Sequence, residues 1–499
     1  MRTRLVSWIV AAGLLAGCGS TVQNPVTGQK ERTVLDEKGE IALGQREQQQ
    51  VLKEYPVYAN TRVQAYVNAL GQRLARLSHR SDLTWHFTVL DSPEINAFAL
   101  PGGYVYVTRG ILAYLDSEAE LAGVMGHEIG HVTARHGAQR ATRQQDAGLG
   151  VLAASVLGAV LESRGVGGAG RVASEVSQVA AAGYVASYGR EQELQADGLG
   201  AEYLARSQFD PQTMVHVIRV LKDQEQFAAD QARAQGRPAP AGSNWLASHP
   251  SNDQRLQAIS NLAAQYRHQA ADDGRDRYLQ AIDGLHFGER PGEGLTRGRN
   301  YFHTALDLAL TAPAQWSIQN LSDRVVVVNA ARDAALVVRL VPAQMGTSHE
   351  AIIRQGFQPR AGSIERLVIN GLQATQFTGV RTHAQGQPEP LVVTVVSGKG
   401  DTRFVLVWSA RDSAALQRAR PQMLQAQNSV RLLSAADRAE ARPWVLRTVP
   451  YPAGGFADLA RRSPLESAEP QLRLLNGVYG GSEPRVGVKV KSVEPQAAP

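Results

Sequence analysis

His127-Glu128-Ile129-Gly130-His131 sets two imidazoles and one carboxylate at a spacing suited to metal-assisted hydrolysis. On a helix, residues four apart share a face, so His127 and His131 can point at one metal ion. Glu128 lies roughly 100° around the helix axis from His127, close enough to hold a water at the metal without ligating it. A helix must therefore run through this stretch. Ser117-Glu118-Ala119-Glu120 reads as a capping box that opens it, with two early carboxylates at the positive end of the dipole. Leu121, Val124, Met125, Ile129 and Val132 follow at helical spacing, and Gly137 is a natural stop. Gly123, Gly126 and Gly130 each lower helix propensity by ~1 kcal/mol relative to Ala. Close packing of another element on that face accounts for them, and weak helicity is the alternative.

A catalytic zinc site takes three protein ligands and leaves a fourth position for water. The extended signature with Gly at 134 and His at 137 is absent, since Ala134 and Gly137 stand there, and that class is excluded. His136 projects about half a turn from His127 and reads as a polar surface residue. The better third ligand is Glu193, in Arg190-Glu191-Gln192-Glu193-Leu194-Gln195-Ala196-Asp197. Glu193 and Asp197 are four apart on a second predicted helix, so one can bind metal while the other orients a ligand histidine. Glu191 points the opposite way, toward solvent.

His127-Glu128-x-x-His131 followed by Glu193-x-x-Ala196-Asp197 resembles the HtpX- and BepA-like zinc metalloproteases, which share a clan with the integral-membrane CAAX prenyl proteases. Upstream, the segment from Asn96 to Val107 is similar to the one preceding the family's metal helix. Downstream, His249-Pro250 with Arg255 resembles its H-P-x-x-x-x-R element, and Asn24-Pro25-Val26-Thr27-Gly28 fits its lipoprotein members. The resemblance implies a zinc metalloendopeptidase holding one zinc ion per chain, with Glu193 as third ligand and Asp197 supporting a ligand histidine. It assigns Glu128 as general base, and His249 and Arg255 as groups that polarise the carbonyl and stabilise the oxyanion. His249 could instead occupy the open zinc position at rest. The resemblance also implies envelope protein quality control, with unfolded or misassembled envelope proteins as substrates. A lipoprotein chaperone or scaffold with a silent protease fold is the alternative.

Pro101-Gly102-Gly103 is turn chemistry, and Tyr104 to Thr108 alternates like a strand. An exposed edge formed by Asn96, Gly103, Tyr104, Val105 and Tyr106 beside the zinc site could bind an extended peptide through backbone hydrogen bonds. An ordinary core strand is the other reading.

The N-terminus supplies an address. Arg2 and Arg4 precede a short apolar run from Leu5 to Ala16, a secretory signal over residues 1–17 that is too short to span a bilayer as a helix. Leu15-Ala16-Gly17-Cys18 resembles a bacterial lipobox, which makes Cys18, the only cysteine, the lipidated first residue of the mature chain. Gly19 stands where inner-membrane retention commonly uses Asp, so the expected location is the periplasmic face of a Gram-negative outer membrane. The formal charge of +6 falls by two once Arg2 and Arg4 leave, and no basic run marks a nucleic-acid partner.

The 499 residues allow two or three domains. The expected class is α+β. A mostly helical, zincin-like metalloprotease domain with a small sheet covers residues 18–287. Within it, the Ala/Gly/Val-rich insert 147–186 reads either as a mobile loop over the cleft or as a packed helical hairpin. A turn-rich stretch, Gly288-Glu289-Arg290-Pro291-Gly292-Glu293-Gly294, closes the domain. Strands at 325–328, 335–340, 391–396 and 404–408 and a helix at 414–433 follow, an α+β domain over 297–437 that resembles PsbP-like domains. Residues 444–494 resemble a LysM-type module, although Ala453-Gly454-Gly455-Phe456 replaces the usual Gly-Asp-Thr entry. Peptidoglycan contact, contact with assembly machinery, or a structural cap are the roles open to it.

Overall fold

The computed structural model describes residues 20–146, 188–234, 245–249, 253–266, 272–346, 348–382 and 388–497. The signal segment with Cys18, the insert 147–186, the loop at 236–242 and the Arg255 side chain lie outside the described residues. The chain divides into two compact units, one of residues 1–287 with 446–494 and one of residues 288–445 with 495–499.

In the first unit, helices α1 (Glu37–Glu54) and α2 (Thr61–Ala75) precede a three-stranded sheet. Its strands are β1 (His86–Leu90), β2 (Ala97–Leu100) and β3 (Tyr104–Thr108), in the order β1-β3-β2. The strand of Tyr104, Val105 and Tyr106 is therefore central and fully buried, not the exposed edge expected of it. The reason lies in the turn. Gly102 and Gly103 hold φ of 82° and 97°, reversing the chain so that Ala97 pairs antiparallel with Val107 on one side of β3. On the other side β1 pairs in parallel, His86 opposite Tyr104, with the His86 N–H also donating to the Gly103 carbonyl. The two edges are β1 and the half-buried β2, with Asn96 just ahead of the latter.

Helix α3 (Glu118–Thr133) carries the H-E-x-x-H residues, and every one of its residues is buried. Ser117 caps it, its Oγ accepting from the Glu120 N–H at 3.1 Å. The Glu120 carboxylate accepts from the Asp116 N–H at 2.6 Å, one residue earlier than in a regular capping box. The helix also stops earlier than expected. Arg135 takes a left-handed φ of 59°, so the break falls ahead of Gly137, and the chain is helical again over 136–146. Helix α4 (Arg190–Arg206) packs against α3 at its glycines. A Cβ on Gly126 would lie 3.3 Å from Gly200 Cα, and one on Gly130 would lie 3.0 Å from the Ala196 carbonyl oxygen. Near backbone contact is what these helix-weakening residues permit. Helix α5 (Thr213–Ala234) and the short α6 (Trp245–Ser248) complete the surroundings of the site.

Residues 446–494 belong to this same unit. Strands Trp444–Pro450 and Lys489–Pro495 extend a sheet begun by His286–Phe287, with helices Gly455–Ala460 and Ala468–Leu475 between them. Lys491 is fully buried, donating to the carbonyls of Ala113 at 3.0 Å and Leu115 at 2.6 Å and pairing with Asp116 at 3.0 Å. A buried ammonium needs such partners, and all three come from the chain just before α3.

The second unit holds a three-stranded antiparallel sheet (Leu295–Arg297, Asn300–His303 and Leu308–Thr311) and a seven-stranded antiparallel sheet. The strands of the larger sheet are β4 (Trp316–Leu321), β5 (Arg324–Asn329), β6 (Ala334–Leu340), β7 (Pro359–Ile369), β8 (Leu372–Thr382), β9 (Pro388–Ser397) and β10 (Arg403–Ala410). They lie in the order β4-β5-β6-β10-β9-β8-β7. Helix α7 (His349–Phe357) packs on one face over Phe377 and Val393. Helix α8 (Ser413–Asn428) covers the other, with Met423 and Ala426 against Leu336, Phe404 and Leu406. The expected strands fall within β5, β6, β9 and β10, while the expected helix ends at Asn428 instead of 433.

Candidate metal centre

Backbone contact between α3 and α4 places Glu193 and Asp197 directly over the imidazoles of His127 and His131. His131 Nε2 lies 3.0 Å from His127 Nε2. His249, one residue beyond α6, brings its Nδ1 to 3.2 Å from His127 Nε2 and 3.0 Å from Glu193 Oε1. Glu193 Oε1 is 3.5 Å from His131 Nε2, and its Oε2 is 3.7 Å from His127 Nε2. All four side chains are buried, and one ligand atom from each lies within 4.8 Å of the others.

These residues fit zinc. Bonds of about 2.0–2.2 Å to imidazole nitrogen and carboxylate oxygen put tetrahedral ligand atoms about 3.3 Å apart, the range these separations span. Imidazole lone pairs turned toward each other in a dry site repel unless a cation lies between them. The third and fourth corners are Glu193 and His249. The latter therefore stands where a catalytic site keeps its open position.

The surrounding groups are equally specific. Asp197 Oδ1 lies 2.9 Å from His127 Nδ1, the ring atom that faces away from the cluster. Glu128 stands outside the ligand set. Its Oε1 accepts from Trp245 Nε1 at 2.9 Å and lies 3.5 Å from His249 Nε2. Burial pushes the Glu128 carboxyl above its ordinary range, with the His249 and His127 imidazoles pulling the other way. A base with a raised proton affinity in a dry site suits proton transfer.

Three residues here escaped sequence reasoning. His136 is not on the surface: it is 0% exposed, with its Nδ1 2.8 Å from His131 Nδ1. The helical projection failed because the helix does not continue; the left-handed turn at Arg135 swings residue 136 back toward His131. Trp245 is buried against Glu128, and a lone Trp after a Gly/Pro-rich loop gives no hint of that. Tyr188 stacks on His131 with ring centroids 4.1 Å apart. Of the remaining sequence candidates, Arg255 lies on helix Asp253–Ala263. Tyr104, Val105 and Tyr106 lie in the central strand, Asn96 just ahead of β2 and Gly103 in the turn between β2 and β3, and none of the five is in the ligand cluster.

Residues 61–263 match Peptidase family M48. Among curated proteins, the chain is 31% identical over 284 residues to the beta-barrel assembly-enhancing protease of Escherichia coli, covering 56% of this chain and 56% of that protein. It is 27% identical over 303 residues to the mitochondrial metalloendopeptidase OMA1 of Schizosaccharomyces pombe, covering 57% of this chain and 82% of that protein. The chain thus spans about half the length of the first of these relatives. Among solved structures, cyanobacterial PsbP from Synechocystis sp. PCC 6803 aligns with 29% of this chain and 98% of its own at 14% identity, with a TM-score of 0.20.

Proposed function

We propose that this chain, whose residues 61–263 match peptidase family M48, is a zinc-dependent metalloendopeptidase that cleaves misfolded or misassembled envelope proteins. The observation that carries the reading is the buried convergence of His127, His131, Glu193 and His249, with Glu128 beside it but not in it. Zinc bound there would supply Lewis acidity toward water and the peptide carbonyl. The protein's own groups do the rest. Asp197 holds His127 with Nε2 free to ligate. Glu128, oriented by Trp245, accepts a proton from the attacking water and returns it to the leaving amine.

His249 at the fourth corner supports a gated enzyme. Water cannot enter the corner until the imidazole withdraws, so cleavage would follow whatever moves the segment from Trp245 to His249. The same observation favours the second reading, a scaffold whose protease is rarely switched on.

The relative's name places it in β-barrel assembly, and outer-membrane proteins are accordingly the substrates we propose. No helix among the described residues is long and apolar enough to cross a membrane. We place the chain in the periplasm, tethered to the outer membrane through a lipidated Cys18, with residues 446–494 as a structural part of the protease unit. The test is casein digestion by wild type and Glu128→Gln, with zinc measured on both. The variant should keep zinc and fold yet lose roughly 10²–10⁴-fold in cleavage. Undiminished cleavage would remove Glu128 from the chemistry.

A further inference from the structure

His127 and His131 are held from behind in different ways. The outer nitrogen of His127 faces the carboxylate of Asp197. The outer nitrogen of His131 faces another imidazole, and that imidazole faces an amide: His136 Nε2 lies 2.9 Å from Gln195 Oε1. We propose that His136 and Gln195 form a neutral relay that fixes the tautomer of His131.

The direction of the relay follows from its acceptor. A carbonyl oxygen has no proton to give, so His136 must donate its Nε2–H to Gln195 Oε1. A neutral imidazole with its proton on Nε2 carries a lone pair on Nδ1. That lone pair accepts the Nδ1–H of His131, which leaves His131 Nε2 unprotonated and facing the ligand cluster. Reversing the relay would put a proton on His131 Nε2, where a metal ligand must have none. Zinc would therefore sit between an imidazole backed by a charged carboxylate and one backed by a neutral chain.

Asn24, from the Asn24–Gly28 motif, holds the turn that aims His136. Its Nδ2 donates to the Ala134 carbonyl at 3.2 Å and to Glu31 Oε1 at 2.9 Å. Arg135 donates to the Leu35 carbonyl at 2.7 Å and lies 3.4 Å from Glu40, which also pairs with Arg80 at 3.1 Å. The left-handed residue is thus clamped by the N-terminal segment.

The inference rests on the zinc site proposed above, and its test is an ordering that packing alone would reverse. Zinc affinity of the full chain is measured by competition with a chromogenic chelator, and the site is followed by the visible spectrum of the cobalt-substituted protein. His136→Asn keeps an acceptor near the Nδ1 position, whereas His136→Leu keeps apolar volume and offers none. His136→Leu should bind zinc roughly 10–100-fold more weakly than wild type, with an altered cobalt spectrum, and His136→Asn should recover much of that loss. Gln195→Met should weaken binding, and Gln195→Glu should retain or tighten it. Leu binding zinc as well as Asn would overturn the relay. Should the His136 variants not fold, wild-type affinity in Gln195→Met would overturn it alone. Failure of the zinc reading itself has a different signature, unchanged zinc content in Glu193→Ala.

Discussion

The α3–α4 layer and the seven-stranded sheet both bury polar side chains, but of different kinds. Behind the sheet, Gln427 is a neutral hub whose Oε1 accepts from Thr394 Oγ1 at 2.9 Å, Trp408 Nε1 at 3.0 Å and Gln376 Nε2 at 3.2 Å. The ion pairs of that unit, such as Asp307 with Arg438 and Asp437 with Arg431, reach half-exposed or exposed arginines. In the α3–α4 layer the buried groups are imidazoles and carboxylates, turned toward one another. A neutral amide with three donors satisfies itself and contributes a rigid core. Converging lone pairs and charges do not, because leaving water costs them several kcal/mol each unless something compensates. Burial alone does not mark a site. Burial of imidazoles and carboxylates whose ligand atoms converge at zinc-ligand spacing does.

The largest expected effects follow from breaking the ionisable layer. Glu193→Ala removes a corner and should lower zinc affinity by more than the roughly 10–100-fold typical of an outer partner. Zinc stoichiometry after dialysis checks it. His249→Ala removes a different corner yet leaves three ligands, so zinc should stay and basal hydrolysis of an unstructured substrate should rise several-fold. A fall in kcat with zinc intact would instead give His249 the oxyanion role.

Smaller effects separate geometry from chemistry. Gly130→Ala would set a methyl against the Ala196 carbonyl, and overpacking of this kind costs about 1–3 kcal/mol. Because α4 carries both Glu193 and Asp197, zinc affinity should fall together with thermal stability. Gln427→Leu is the counterpart in the sheet. It leaves three donors without their acceptor, at about 1–3 kcal/mol of stability, while zinc content and cleavage stay at wild-type values below the melting transition. Zinc loss in Gln427→Leu would mean that the two regions are not independent.

What could be read from the chain follows the same division. The metal helix was legible because its cap, its apolar spacing and its ligands obey one period. Glu193 and Asp197 carried less of their own: a four-residue spacing shared by many charged helix faces, given its meaning by the resemblance to the HtpX- and BepA-like metalloproteases. His136 was not legible, because one left-handed residue at Arg135 ends the metal helix's period, and nothing in Ala134-Arg135 announces it. The status of Tyr104–Thr108 depended on where residues 97–100 would pair, a non-local fact that alternation along one strand cannot carry. The β7–β8 hairpin has a local sign in the sequence: Asn370-Gly371, both at positive φ, is the two-residue turn that joins twisted strands. Residues 446–494 carried the local pattern of a module, but the buried pairing of Lys491 with Asp116 spans most of the chain and leaves no trace in either segment.

The smallest effect concerns how that distant pairing anchors α3. Glu120 is enclosed in its first turn, beside Asp116, which pairs with Lys491 at 3.0 Å and Arg275 at 2.8 Å. Burial, followed by the Asp116 carboxylate, pushes Glu120 from 4.5 up to about 7, while Lys491 and Arg275 pull it down. With the folded value above the unfolded one, the native chain holds a proton that the unfolded chain releases. This contribution to stability is fully present below about pH 4.5 and is lost as pH rises through about 7. Glu120→Gln is neutral at every pH and should remove that dependence. It also weakens the acceptor for the Asp116 N–H, so the net change should be on the order of 1 kcal/mol. Thermal midpoints of both proteins at pH 5 and pH 8 decide it: the gap between the two pH values should shrink in the variant. An undiminished gap would mean that Glu120 is already ionised in the folded chain, held by Lys491 more strongly than burial opposes it.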